Sequence, residues 1–340
     1  GGVISNAIKT AVAGDDLSAA LVESVMDAIL DGEASPAQIA AFVVALRMKG
    51  ESSEEIAAAA RSLRGHCESI HPAVDGPLVD TCGTGGDGLH TFNISTAAAI
   101  VVAGSGVAVA KHGNRAVSSK AGSADVLEAL GVRIDLSPER VQHCIEELGI
   151  GFLFAPSHHA AMRHAAPVRR ELGIRTLFNL LGPLANPASA THQVVGVFDP
   201  RRLEQLAEAL GSLGLSGAWV VHGEGGLDEV SPSGPTQVAQ LRDGQVSTFE
   251  LSPASFGLDA VPAAALRGGD AAENAQIIRG VLAGDEGAPR AAVVINAAAA
   301  LCVSGAAPDA MAAARMASEA LDSGAAEATL RSWAELTQAS

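Results

Sequence analysis

"GTGGDGLHTFNIST", Gly83 to Thr96, is the stretch on which the reading of this chain turns. Its first six residues satisfy Gly-x-Gly-x-x-Gly, the spacing of a dinucleotide-binding turn. The apolar Leu78-Val79 before it reads as a strand, and a helix is expected to begin near Ile94. Glycines in that position let backbone N–H groups close on an anion, and the helix N-terminus adds a favourable dipole. The dinucleotide pattern also puts its third glycine inside the helix and an acidic residue at the end of the next strand, about 20 residues on, to hold a ribose. Here Asp87 lies within the glycine run, the hydroxyl-rich "NIST" separates glycines from helix, and the next strand ends in Lys111-His112. The stretch reads as a phosphate loop with an imperfect dinucleotide fingerprint.

Outward from the loop, short apolar runs alternate with helical ones. Val107–Ala110, Gly151–Phe154, Val194–Phe198 and Ala218–Val221 read as buried strands. Thr96–Ala103, Ala124–Ala129 and Arg201–Leu210 read as helices between them. Such alternation predicts an α/β fold with a mostly parallel central sheet, whose ligands collect outside the carboxyl ends of the strands. The chain before Pro72 is different. From Ser5 to about His66 it reads as helix throughout, with Val22, Val25, Met26 and Ile29 on one buried face. Ser35-Pro36 with Gln38 forms a capping box, Ser52 with Glu55 forms another, and Gly50 stops the helix between them. The expected organisation is a small all-helical domain over residues 1–72 and a larger α/β domain over 73–340.

Composition narrows the function. The chain has 340 residues, 48% of them apolar, with no tyrosine and a formal net charge of -16. That charge argues against nucleic acid or an anionic membrane surface as the main partner. Cys67, Cys82, Cys144 and Cys302 lie far apart, so neither a zinc cluster nor a disulfide framework is expected, and a reducing, cytoplasmic location fits. No apolar run reaches membrane-spanning length.

Three further stretches carry chemistry. "KHGNRAVSSKAGSAD", Lys111 to Asp125, gathers Lys111, Arg115 and Lys120 among small and hydroxylated residues, which is what a polyphosphate needs: donors, flexibility and countercharge. Asp228-Glu229, on a glycine-flanked loop after a strand, can present oxygens to Mg2+. In "HHAAMRHAAPVRRELGIRTLFNLLGPLANP", His158 to Pro187, the histidines lack any metal-site spacing. Arg169, Arg170 and Arg175, read as lying on one helix, offer a bidentate partner for a carboxylate. No Gly-x-Ser-x-Gly elbow or Cys–His pair appears. The pattern points to transfer at a phosphorylated substrate, assisted by Mg2+.

Taken together, "GTGGDG..TFNIST", "KHGNRAVSSKAGSADVLEALG", "PVRRELGIRTLFNLLGPLANP", "GLDEVSPSGPT" and "ENAQIIRGVLAG" resemble the anthranilate phosphoribosyltransferase family, glycosyltransferase family 3, over essentially the whole chain. The resemblance implies a helical domain completed by helices from about 166–186, a cleft beside the α/β domain, and a homodimer formed through the helical domain. It implies transfer of the phosphoribosyl group of phosphoribosyl pyrophosphate (PRPP) to the amine of anthranilate, the second step of tryptophan synthesis from chorismate. PRPP contacts carried over are Gly83, Gly86, Asp87, Thr91, Asn93, Ser95, Thr96, Lys111, Ser118, Ser119 and Ser123. Anthranilate contacts are Gly83, Asn114, Arg169, His112, His159 and Pro183. Magnesium ligands are Ser95, Asp228 and Glu229, with two ions per site. The chain departs from the family at Ala160, where many members have proline. No residue is assigned as an acid or base, although His112 is a candidate proton acceptor. A pyrimidine nucleoside phosphorylase, a nucleic-acid-binding relative of the same fold, and an NADP dehydrogenase with Lys111 and Arg115 on the 2′-phosphate are the competing readings.

Overall fold

A computed structural model describes residues 2–116 and 121–339 of the chain. Ser118, Ser119 and Lys120 of the Lys111 loop lie outside the described residues. Helices α1 (Val3–Val12), α2 (Ala19–Leu30), α3 (Pro36–Lys49) and α4 (Ser53–Gly65) open the fold. Both capping boxes form, each satisfying two donors at a helix end, and Gly50 closes α3 at a φ of +90°. Glu55 does more than cap α4. It is fully buried, accepting from the Leu17 N–H at 2.7 Å and from Lys49 Nζ at 2.8 Å.

The alternation then begins: β1 (Leu78–Gly83), α5 (Ile94–Gly104), β2 (Ala108–Gly113), α6 (Ser123–Ala129), α7 (Pro138–Leu148) and β3 (Ile150–Phe154). Short helices α8 (Ala155–His158), α9 (Ala166–Leu172) and α10 (Leu177–Leu181) return the chain to the first four helices. It re-enters the sheet through β4 (His192–Gly196), α11 (Leu203–Ser212) and β5 (Gly217–Gly223). Two more strands, β6 (Thr236–Arg242) and β7 (Gln245–Leu251), precede α12 (Ala271–Leu282), α13 (Ala288–Val303), α14 (Ala310–Asp322) and α15 (Ala325–Gln338).

The seven strands run β3-β2-β1-β4-β5-β6-β7. The first five in sequence are parallel; β6 and β7 add antiparallel at one edge. That hairpin is absent from the sequence reading. Strand order reverses between β1 and β4, which opens a crevice beyond their carboxyl ends. Gly83 of β1 lies in register with Gly196 of β4, and β2 ends nearby on Gly113.

Side chains alternate across the sheet, as strand geometry requires. Val194, Trp219, Val221 and Val238 pack in the core shared with α5 and α13, while Val195, Val220 and Ala239 face the other way. The second core is continuous from sheet to helices. Phe42, Leu46 and Leu63 of the N-terminal helices join Phe178 and Leu181 of α10 and Leu206 and Leu210 of α11 in it.

Candidate active site

The reversal point is lined by the expected glycine loop. Gly85, Gly86 and Gly88 adopt φ values of +71°, +82° and +70°, a left-handed backbone that side chains resist. A Cβ on Gly83 would come within 2.7 Å of Asp228 Oδ2, and one on Gly196 would overlap the Asp228 backbone oxygen at 1.6 Å. Absence of side chains at the two strand ends is therefore what lets the Asp228 loop lie over the sheet edge. The loops are latched to each other: the Gly85 N–H donates to Asp228 Oδ2 at 3.1 Å, and the Asp228 N–H donates to Asp87 Oδ2 at 3.2 Å.

Behind the glycines, α5 begins with Ser95 and Thr96 in its first turn. Lys111, only 3% exposed, donates from Nζ to the Thr81 carbonyl and to Ser95 Oγ, the latter at 3.2 Å. Thr96 Oγ1 is buried without a partner among the described residues. Beneath them Asp80, fully buried, accepts from the His112 N–H at 3.2 Å and from Asn186 Nδ2 at 2.9 Å. Burial pushes the Asp80 carboxyl up in pKa while Lys111 pulls it down.

Asp228 and Glu229 line a small cavity with Ser95. Burial, then the Glu229 charge, raises the Asp228 carboxyl well above its ordinary range. Burial raises Glu229 to about 8, against the opposing pull of Lys111. Two desolvated, mutually repelling carboxylates beside a hydroxyl are hard oxygen donors that a divalent cation would relieve. Among the described residues no group of three or more His, Cys, Asp or Glu side chains could hold a metal by itself. That donor set fits Mg2+, which keeps waters and takes ligands from substrate phosphates.

On the helical side lies a cavity of about 560 Å3, lined by Gly83, His112, Asn114, His159, Arg169 and Pro183 among others. Of the anthranilate contacts expected from sequence, all six meet there. The two imidazole rings stand 5.1 Å apart. Burial, reinforced by neighbouring histidines, holds His112 at about 3 and His159 at about 4, so both are neutral near pH 7. His112 Nδ1 is 3.0 Å from the Gly182 carbonyl, so the neutral ring donates there and leaves its lone pair on Nε2. Nε2 has no partner among the described residues. The half-buried Arg169 guanidinium stacks 5.8 Å from the centre of the Phe178 ring and forms no ion pair with any described residue. Burial alone lowers its pKa, which marks a cation short of an anionic partner.

Other expected residues are engaged elsewhere. The Asn93 side chain is tied at both ends, donating to the Ala121 carbonyl at 3.1 Å and accepting from Asn274 Nδ2 at 2.9 Å. Thr91 pairs with Arg267 in an isolated bridge. Ser123 Oγ donates to the Asn114 carbonyl at 3.3 Å. Arg115, counted above as phosphate countercharge, is paired with Asp125 and Glu128, and this corrects the sequence reading. A second correction concerns the three arginines: Arg169 and Arg170 lie on α9, but Gly173 ends that helix and Arg175 lies beyond it. Arg170 points to solvent, whereas Arg175 reaches Thr84 of the glycine loop. Nothing in its local sequence separates Arg175 from an ordinary surface cation.

Known proteins share this architecture. Residues 5–67 match the helical bundle domain of a glycosyl transferase family, and residues 75–327 match its a/b domain. A relative from Myxococcus xanthus named anthranilate phosphoribosyltransferase is 55% identical, over 95% of this chain and 96% of its own. A crystal structure of anthranilate phosphoribosyltransferase from Thermus thermophilus superposes with a TM-score of 0.93 at 47% identity, over 98% of this chain and 99% of that one. The Saccharomyces cerevisiae enzyme in complex with PRPP and Mg superposes with a TM-score of 0.89 at 29% identity, over 98% of this chain and 97% of that one.

Proposed function

The chain belongs to the glycosyl transferase family that includes the anthranilate phosphoribosyltransferases, and from that premise we propose that it transfers the phosphoribosyl group of PRPP to the amine of anthranilate, releasing pyrophosphate. The observation that carries this reading is the meeting, at one sheet edge, of a left-handed glycine loop, the buried Lys111, the Asp228-Glu229 pair and a pocket holding an arginine with no ion pair among the described residues.

PRPP lies along the glycine loop, in contact with Gly83, Gly86, Asp87, Thr91, Asn93, Ser95, Thr96, Lys111, Ser118, Ser119 and Ser123. Lys111 and the loop N–H groups are donors fixed before the reaction, so they stabilise charge on the leaving group without reorganising. Ser95, Asp228 and Glu229 would hold Mg2+, two ions per site in this reading, and the metal when bound neutralises charge that grows on pyrophosphate. Anthranilate fills the pocket, its carboxylate on Arg169 and its ring near His112, His159, Asn114 and Pro183. The amine lone pair attacks C1 as the C1–oxygen bond to pyrophosphate breaks, with inversion at C1. The amine then sheds one proton, and His112, whose buried Nε2 has no partner among the described residues, is the candidate acceptor. An arylamine is weakly basic and its lone pair is already available, so binding and alignment carry most of the catalysis.

We also propose a cytoplasmic homodimer. The four cysteines are free, which fits a reducing compartment. Met48 on α3 is 84% exposed and Ile174, just past α9, is 52% exposed, and α3 and α9 touch each other. Sedimentation at micromolar concentration should give the mass of two chains, and the mass of one would refute the dimer. The reaction is tested by the change in anthranilate fluorescence on mixing protein, anthranilate, PRPP and Mg2+, with each omitted in turn. Turnover without PRPP, or none with all four present, would reject the assignment.

A further inference from the structure

Glycine loops carry a cost: residues without side chains have nothing of their own to hold the backbone in one orientation. A peptide turned over would offer a carbonyl oxygen, not an N–H, to an anion. In this fold the loop is held from outside. Arg175 follows the left-handed Gly173, and its neighbours Leu177 and Phe178 are buried in the core of the helical side. Its guanidinium crosses to the sheet. Nη2 donates to the Thr84 carbonyl at 2.8 Å, the group lies 4.9 Å from the centre of the Phe198 ring, and a Cβ on Gly86 would meet Nη1 at 2.8 Å. At the other end of the same peptide unit, the Gly85 N–H donates to Asp228 Oδ2. The Arg175 carbonyl accepts from Arg47 Nη1, which anchors the whole arrangement on α3.

We propose that Arg175 is a positioning residue for the donor substrate, fixing the Thr84–Gly85 peptide from the helical side so that the glycines after it keep their N–H groups toward the pyrophosphate. The inference rests on the reading of Gly83–Thr96 as the PRPP loop. Arginine suits the task because three features are used together: one fork nitrogen on a carbonyl, the other against Gly86, and a flat face on an aromatic ring. Lysine has only a point charge to offer.

Arg175→Ala, Arg175→Lys and Phe198→Leu test this, with Lys111→Ala alongside. Arg175→Ala should raise the KM for PRPP about tenfold or more and leave the KM for anthranilate within about twofold. Arg175→Lys should recover little, and Phe198→Leu should fall between parent and alanine variant. Without any substrate, amide hydrogen exchange in peptides spanning residues 83–92 should quicken about tenfold in Arg175→Ala, with β4, β5 and α13 unchanged. Unchanged exchange at 83–92, equally faster exchange everywhere, or a rise confined to the anthranilate KM would each overturn the proposal. If Lys111→Ala also leaves PRPP dependence untouched, the PRPP reading of the loop is what fails, and the exchange result still decides the role of Arg175.

Discussion

Arg169 illustrates how one side chain's surroundings decide its chemistry. It is half-buried, stacked on Phe178 and unpaired among the described residues, while its neighbour Arg170 on the same short helix faces water. Arg169→Ala should therefore raise the anthranilate KM strongly and leave PRPP binding nearly intact. The lost charge-assisted contact is worth on the order of 2–4 kcal/mol, about 30- to 1,000-fold in kcat/KM. Steady-state kinetics settle it, and the same effect from Arg170→Ala would show that the wrong arginine was chosen. The histidines next to it make a prediction about pH. His112 and His159 stay neutral in the fold down to about 3 and 4, whereas unfolded histidine titrates near 6.5. The unfolded chain binds more protons in that window, so these rings destabilise the protein as pH falls below about 6.5. Glu229 acts with the opposite sign, since a folded pKa of about 8 removes stability as pH rises from about 4.5. His112→Asn cannot charge, so the gap in Tm between variant and parent should narrow or reverse from pH 8 to pH 4.5. A constant gap would mean that the fold leaves the His112 pKa unshifted, and a widening one that it holds the ring charged. At this scale residue type and loop context drew attention to Lys111, Asp228 and Glu229, which the structure brings together near Ser95, whereas Arg169 was set apart from Arg170 and Arg175 by the family resemblance alone. Arg175 and the buried Asp80–Asn186 bond were not legible, because their meaning lies in contacts 91 and 106 residues away in the chain.

At the scale of elements, the parallel strands and their helices announced themselves through short apolar runs, while the β6–β7 hairpin passed unread. Its signal was present. Asp243-Gly244 takes φ values of +51° and +75°, the paired left-handed conformation of a two-residue hairpin turn. β7 is a largely exposed edge strand, and β6, although mostly buried between β5 and β7, mixes polar residues among its apolar ones, so the turn dipeptide was the strongest cue. The loop joining β5 to β6 carries the Asp228-Glu229 pair, and its seat is made by the strand-end glycines. Charge and shape can be separated there. Asp228→Asn with Glu229→Gln keeps the volume and removes both charges, so folding should be retained, and even favoured, because two repelling buried carboxylates are gone. Turnover should fall by at least about a hundredfold, the scale of losing an electrostatic stabiliser of the leaving group. The concentration of Mg2+ needed for half-maximal rate should rise. Near-normal activity across a Mg2+ titration would remove these residues from the metal site.

At the scale of the molecule, a boundary near residue 72 marks where sequence character changes, but the packing does not divide there. The core of the N-terminal helices runs without a break through α9, α10 and α11 onto one face of β4 and β5. Polar ties cross as well: Arg202 pairs with the buried Glu51 at 2.8 Å, Arg64 donates to the Leu184 carbonyl at 2.7 Å, and Ser53 donates to Glu208 at 3.0 Å. Local periodicity cannot reveal this, because a helix shows which face is buried and not what buries it. The consequence concerns both stability and the site. The glycine loop belongs to the sheet, whereas Arg169 and Arg175 approach from the helical side, so the groups of the proposed site are aligned only if the two parts fold as one body. Residues 73–340 alone would bare Leu177, Phe178, Leu206 and Leu210, each costing about 1.5–3 kcal/mol when exposed. That sum exceeds about half of the 5–15 kcal/mol by which a typical protein is stable. The intact chain should therefore melt in a single calorimetric transition, with calorimetric and van't Hoff enthalpies in agreement. The 73–340 fragment should lack a cooperative transition and bind a hydrophobic dye. Two separate transitions in the intact protein, or a fragment that melts sharply on its own, would show instead that the helical and α/β parts are independent and that the cleft between them is free to open.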